Sequence, residues 1–207
     1  PLNSSGSKAY DANTDALANA ITLSNLAGGE TLIHSGTAST SSANAGSYTI
    51  NNLAGIGISN GTGTASNYTL TGGTHSFTIN KRVVSLSGGS RQYNGSATAI
   101  AADLPTINNL VGSETLTLSG NGVVENANVG DNKPLTNLSG LTLQNGSNGG
   151  LAANYTLSGG SSIISITPRI LSLDGSVYRP DRVIKHSNQI ATLIDYKTGK
   201  EEKYHDR

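Results

Sequence analysis

The sequence predicts an all-β chain: two tandem small antiparallel β-sandwich or grasp-like repeat domains, then a short C-terminal β-hairpin tail. Three observations lead there. Apolar and polar residues alternate in short runs, which puts one face of each run in a core and the other in water. Turn dipeptides separate the runs. Most of the chain is one pattern written twice.

In the first half, Ser47-Tyr48-Thr49-Ile50, Tyr68-Thr69-Leu70, Ser76-Phe77-Thr78-Ile79 and Arg82-Val83-Val84-Ser85-Leu86 alternate. In the second, Glu114 to Leu118, Leu141 to Leu143, Ile163 to Ile166 and Ile170 to Leu173 do the same. Asn60-Gly61, Asn94-Gly95, Asn121-Gly122 and Asn145-Gly146 are expected to be tight turns, because both residue types tolerate positive φ. Only Ala16 to Leu26 could hold a short helix, and its second-half counterpart carries Pro105. Each unit is therefore expected to contain a turn or two of helix at most.

The repetition fixes the organisation. Lys8-Ala9-Tyr10-Asp11-Ala12 returns as Arg91-Gln92-Tyr93-Asn94-Gly95, and Asn25 to Leu32 returns as Asn109 to Leu116. Asn44-Ala45-Gly46 matches Asn128-Val129-Gly130, and Ile58-Ser59-Asn60-Gly61 matches Leu143-Gln144-Asn145-Gly146. Asn67-Tyr68-Thr69-Leu70 matches Asn154-Tyr155-Thr156-Leu157, and Thr78 to Arg82 matches Ser165 to Arg169. The offsets drift from 83 to 87 at Gly- and Asn-rich stretches, as small loop insertions would produce. The expected units are 1–81, 82–168 and a remainder, 169–207, that opens with the first strand of a third copy. Asn80-Lys81-Arg82 joins the first two without a flexible linker, which restricts their relative motion.

Composition excludes several function classes. Of 207 residues 35% are hydrophobic and 13% charged, with 26 Gly, no Trp and one Phe, so the cores must be thin and aliphatic. Net charge is zero, which gives a nucleic-acid or anionic-membrane partner of the whole chain no electrostatic basis. With no Cys there is no disulfide framework, thiolate metal site or Cys nucleophile. No apolar run approaches the ~20 residues of a membrane span. Pro1 stands where a start Met would, and no signal peptide is visible, so the chain reads as a segment of a longer protein. Residues 1–168 hold 12 charged side chains and residues 169–207 hold 14, a break between two kinds of sequence.

On the Tyr10-Asp11-Ala12 and Tyr93-Asn94-Gly95 triplets, the Gly-Gly-Glu-Thr and Gly-Ser-Glu-Thr segments, the Asn-Tyr-Thr-Leu pair and the closing Ile166-Thr167-Pro168-Arg169, residues 6–178 resemble a known repeat. They are similar to the YDG-type repeats, related to MBG repeats, of bacterial adhesins and filamentous-haemagglutinin-like exoproteins. Neither triplet is intact: the first lacks the Gly and the second the Asp. The resemblance implies a non-catalytic structural or adhesive module in the stalk of a secreted or cell-surface protein. Its implied partners are neighbouring repeats, with a host-surface protein or glycan beyond them. It implies no catalytic residue, cofactor or metal, and no nucleic acid for residues 1–168.

The last stretch supports a different, alternative reading. Arg179-Pro180-Asp181-Arg182-Val183-Ile184 and Ile190 to Lys200 resemble the PD-(D/E)xK nuclease core attached to RecB-like and UvrD-like helicases. A turn at His186 to Gln189 would pair the two runs as a hairpin. Asp195 and Lys197, two apart, then share a face, and Asp181 could join them from the partner strand. Under this alternative for residues 177–207, Asp181 and Asp195 would bind Mg²⁺ and Lys197 would help activate water at a scissile phosphate. The stretch covers far less than such a core, and ligands without supporting residues rarely hold a metal. The preferred reading leaves these charges solvated.

Other features carry little chemistry. His34 and His75 stand in Ser/Thr-rich segments without a Gly-x-Ser-x-Gly elbow. The Asn-x-Ser/Thr triplets at Asn60, Asn67, Asn94, Asn137, Asn145 and Asn154 fit the glycan acceptor pattern. Composition produces such triplets in any case, and Asn67 and Asn154 recur in a strand motif, which points to structural roles. Seven unclustered carboxylates in residues 1–168 make a poor calcium site. Gly55-Ile56-Gly57 lacks the strand–loop–helix setting of a phosphate loop.

Overall fold

In the computed structural model the chain forms two compact units, residues 1–169 and 170–207. The structure describes residues 1–50, 52–157, 161–170, 182–186 and 190–194.

The first repeat contributes β1 (Asn3–Ala9), β2 (Asp15–Leu17), β3 (Ile21–Ser24), β4 (Leu32–Ser39), β5 (Gly46–Thr49), β6 (Ile56–Asn60) and β7 (His75–Asn80). One sheet runs β3-β1-β7-β5 and another β2-β4-β6. Alternation does what it should: along β7, His75, Phe77 and Ile79 are buried, while Ser76 and Asn80 face water. Phe77 and Ile79 join Ile21, Ile50 and Ile56 in a largely aliphatic core, with Phe77 fully buried.

The pairing of β1 with β7 is parallel, from Ser4 opposite His75 to Ala9 opposite Asn80. All other pairs in this repeat are antiparallel. Period-two alternation reports burial and is blind to strand direction, so the sheet is mixed where the sequence reading gave antiparallel. The consequence for connectivity is direct. The chain enters a repeat at the start of β1 and leaves at the opposite end, beside Tyr10, whose N–H bonds Asn80 O at 2.9 Å.

The second repeat uses the same plan in smaller pieces: β8 (Arg82–Val83), β9 (Ser85–Ser87), β10 (Gly89–Gln92), β11 (Thr98–Ile100), β12 (Thr106–Asn108), β13 (Leu116–Val124), β14 (Gly130–Asn137), β15 (Leu141–Asn145), β16 (Tyr155–Thr156) and β17 (Ile163–Thr167). Its largest sheet runs β10-β17-β14-β13-β11, with β15 also on β13. β10 lies parallel to β17 as β1 does to β7. β9 and β10 together are the counterpart of β1. Ser5 opposite Thr22 becomes Ser87 opposite Thr106, and Gly6 opposite Phe77 becomes Gly89 opposite Ile164. One additional residue, Gly88, therefore breaks the strand in two.

The longest strand of each repeat changes partner part-way along its length. In β4, Leu32 to Gly36 pair with β6 and Thr37 to Ser39 with β2. In β13, Leu116 to Gly120 pair with β15, and Asn121 to Val123 with β11. The switch falls at Gly36 (φ 100) and Gly120 (φ 85). A Cβ at either would lie 2.0 Å from a carbonyl oxygen, of Gly55 or Gly140. Only Gly permits that crossing.

Two sequence expectations change at this level and a third, the short helix, holds. Asn121-Gly122 is not a turn but lies within β13, because the bend comes one residue earlier, at Gly120. Tyr68 to Leu70 is not a strand in the first repeat; it is tied by isolated bonds, among them Leu2 N–H to Thr69 O at 2.7 Å and His75 Nε2 to Leu70 O at 2.8 Å. Its counterpart β16 becomes a strand by pairing with the incoming β8. The possible helix over Ala16 to Leu26 is a 3₁₀ turn, Ala18–Ala20, flanked by β2 and β3.

In the second unit, β18 (Arg182–His186) and β19 (Ile190–Ile194) pair antiparallel from Arg182 opposite Ile194 to His186 opposite Ile190. That is the hairpin expected from the His186 to Gln189 turn. Among the described residues no helix is long and apolar enough to cross a membrane.

Candidate functional site: the junction between repeats

Each repeat carries a tyrosine–carboxylate pair. Tyr68 donates its hydroxyl to Glu30 Oε2 at 2.5 Å and accepts Ala27 N–H at 3.0 Å. In the second repeat Tyr155 donates to Glu114 Oε2 at 2.6 Å and accepts Val111 N–H at 3.1 Å. Glu30, Tyr68 and Tyr155 each follow a 3₁₀ turn and Glu114 follows a turn closed by its N–H on Val111 O, so local chain geometry delivers all four. This equivalence is what the recurring Gly-x-Glu-Thr and Asn-Tyr-Thr-Leu blocks encode.

The second pair has a further partner. Tyr10, from the first repeat, donates to the other oxygen of Glu114 at 2.7 Å. Its ring meets that of Tyr155 edge-on, with centroids 5.4 Å apart and planes at 78°. Such edge contacts are the favoured aromatic geometry. One carboxylate thus receives two phenol hydroxyls from two different repeats, and Tyr10 is 3% exposed. Burial, then the hydrogen bond to Glu114, pushes the pKa values of both Tyr10 and Tyr155 up to about 12. Ionising either would put a phenolate against a carboxylate. Tyr68 is also held above its ordinary value, chiefly by its bond to Glu30.

Two further contacts complete the junction. Asn154, 1% exposed, accepts Ala45 N–H at 2.9 Å and donates to Asn44 Oδ1 at 3.0 Å, both in the first repeat. Arg82 directs Nε to Asn109 O (2.8 Å), Nη2 to Asn109 Oδ1 (2.7 Å) and Nη1 to Tyr10 O (3.5 Å). Asn109, at φ 69, returns a bond to Val83 O at 2.7 Å. Buried residues on both sides belong to one core cluster, Tyr10 and Ile79 from the first repeat and Val84 and Tyr155 from the second.

The naming triplet divides into three tasks. In the first copy its tyrosine, Tyr10, docks on the following repeat. Its second residue caps the turn, Asp11 Oδ1 accepting Asn13 N–H and Asn94 Oδ1 accepting Ser96 N–H. Its third takes positive φ, Gly95 at 79° and Ala12 at 62°. The preceding base anchors the same turn: Lys8 reaches Asp11 and Asn13, and Arg91 reaches Asn94 and Ser96.

The residues singled out from sequence fall elsewhere. Asp181, Asp195 and Lys197, the nuclease alternative, lie outside the described residues. Among those described, no group of three or more His, Cys, Asp or Glu could hold a metal ion. His75 accepts from Ser4 Oγ at Nδ1 (2.9 Å) and donates from Nε2 to Leu70 O (2.8 Å). Ser4 is buried, so this pair is a core contact. His34 Nε2 is shared between Ala18 O and Ile21 O. Of the Asn triplets, Asn60, Asn94, Asn137 and Asn145 each accept a nearby backbone N–H, and Asn154 sits in the junction. What sequence reading missed was Glu114 as a double acceptor and Asn44 as a partner. The available signal was an acid returning in both copies of a stretch poor in charge.

Head-to-tail β units joined through a buried polar lock define a tandem-repeat β module. Both repeats match the YDG domain, over residues 2–76 and 80–162, and the chain belongs to that family. No curated protein and no solved structure matches it.

Proposed function

We propose that the chain is a non-catalytic scaffold, a segment of the stalk of a bacterial adhesin that is secreted or displayed at the cell surface. The observation that carries this reading is the junction. Tyr10, Glu114 and Tyr155 interlock across it, and a single residue, Lys81, separates β7 from β8. A junction with a shared core and no linker transmits orientation from one unit to the next, which a spacer needs and an independent binding module does not.

The chemistry elsewhere fits the same role. The concavity between Ile50, Leu53, Leu70 and His75 is lined by apolar, Ser/Thr, Gly and Asn residues, with both His75 nitrogens already engaged. A composition rich in Gly, Ser, Thr and Asn and free of Cys suits a chain exported unfolded. The partners are neighbouring repeats, with a host-surface protein or glycan met elsewhere along the stalk.

Amide ¹⁵N relaxation on the full chain tests this reading. Both repeats should report one rotational diffusion tensor. Separate, faster tumbling of residues 2–76 and 80–162 would overturn it.

A further inference from the structure

The faces that meet at the junction each have a second, unpartnered example. Tyr10 docks on the second repeat; its counterpart Tyr93 occupies the same place in its own fold, with Tyr93 N–H on Thr167 O at 2.8 Å. Yet Tyr93 is 40% exposed, and among the described residues its hydroxyl has no hydrogen-bond partner. Val129, counterpart of Ala45, is 50% exposed. On the receiving side, Glu114 binds two tyrosines and Glu30 only Tyr68, through Oε2, leaving Oε1 without a partner among the described residues. Asn154 is buried under the 44–45 loop, whereas its counterpart Asn67 is exposed.

We infer that these two faces are complementary docking surfaces for another copy of this repeat: the Tyr93 face of one chain seats on the Glu30–Tyr68 face of a second. Tyr93 donates to Glu30 Oε1 and packs edge-on against Tyr68, while Asn67 bonds the chain at Asn128 and Val129. The occupant is set by chemistry already present, since the internal junction shows which donor each acceptor takes. The contact is heterologous, so it chains copies head to tail, as an open filament or, where the rotation between copies closes, as a ring. The inference deepens the scaffold reading and rests on it.

The absence of Cys supplies a clean test. Full-length chain carrying Ser66→Cys, beside Asn67 and exposed, and Val129→Cys is treated with a short bis-maleimide at about 1 mM protein, because untethered contacts lack the millimolar effective concentration of a linked repeat. A ladder of crosslinked multimers is expected. Adding Tyr93→Phe should cut it about tenfold, the effect of losing one hydrogen bond to a charged group. Tyr93 is exposed, so the change leaves the fold intact, and circular dichroism checks this. Crosslinking no greater than in a Thr117→Cys/Val129→Cys control, or undiminished by Tyr93→Phe, overturns the inference. Relaxation measured on dilute single chains stands apart from that outcome, so the scaffold reading fails or survives separately.

Discussion

At the scale of single residues, Ala12 is the clearest misfit. It holds φ 62 where the second repeat uses Gly95 at φ 79. A left-handed conformation costs an L-residue about 1–2 kcal/mol, and Gly returns part of that in chain entropy. Ala12→Gly should therefore stabilise the protein by about 1 kcal/mol, read as a raised urea midpoint with unchanged slope. The triplet shows what a sequence discloses and what it hides. That Tyr10 and Tyr93 recur is visible in the text; that Tyr10 docks on Glu114 is not, because the acceptor lies 104 positions away in the other copy. The Ser4–His75 contact is hidden for a similar reason, since only the parallel register brings Ser4 opposite His75.

At the scale of elements, Gly36 and Gly120 decide where a long strand changes partner. Gly36→Ala would place a methyl against Gly55 O, a backbone atom that cannot rotate away, at a φ that L-residues avoid. The expected cost is about 3 kcal/mol, measurable by urea unfolding. The strands on either side were legible from alternation: β7 and β17 bury every second residue, and both were expected within a residue of where they fall. Strand breaks were less so. Nothing in Leu118 to Val124 advertises that the chain bends at Gly120 and not at Asn121-Gly122, because Asn-Gly is the stronger turn signal and here it is overridden by strand pairing. The split of β9 from β10 rests on one inserted residue, whose effect appears only once the partner strands are known.

For the molecule as a whole, the junction makes stability depend on alkaline pH. Tyr10 and Tyr155 keep their protons in the folded state up to about pH 12, whereas the unfolded chain releases them near the ordinary value of 10. A raised folded pKa means the contribution is complete below about pH 10 and lost as pH climbs to about 12. Thermal midpoints should fall over that window, and Tyr10→Phe should flatten the decline. That two similar units stand in tandem was readable from their recurring blocks; that they share one core was not, because alternation says which face is buried and not by what. One feature of the shared plan bears on load. Since β1 and β7 are parallel neighbours, tension applied at Leu2 and at Asn80 drags them past each other lengthwise. The rungs from Ser4–His75 to Ala9–Asn80 then resist together, and none can be peeled open ahead of the rest. β10 and β17 repeat the arrangement, so each unit is a clamp strained in shear when its two ends are drawn apart.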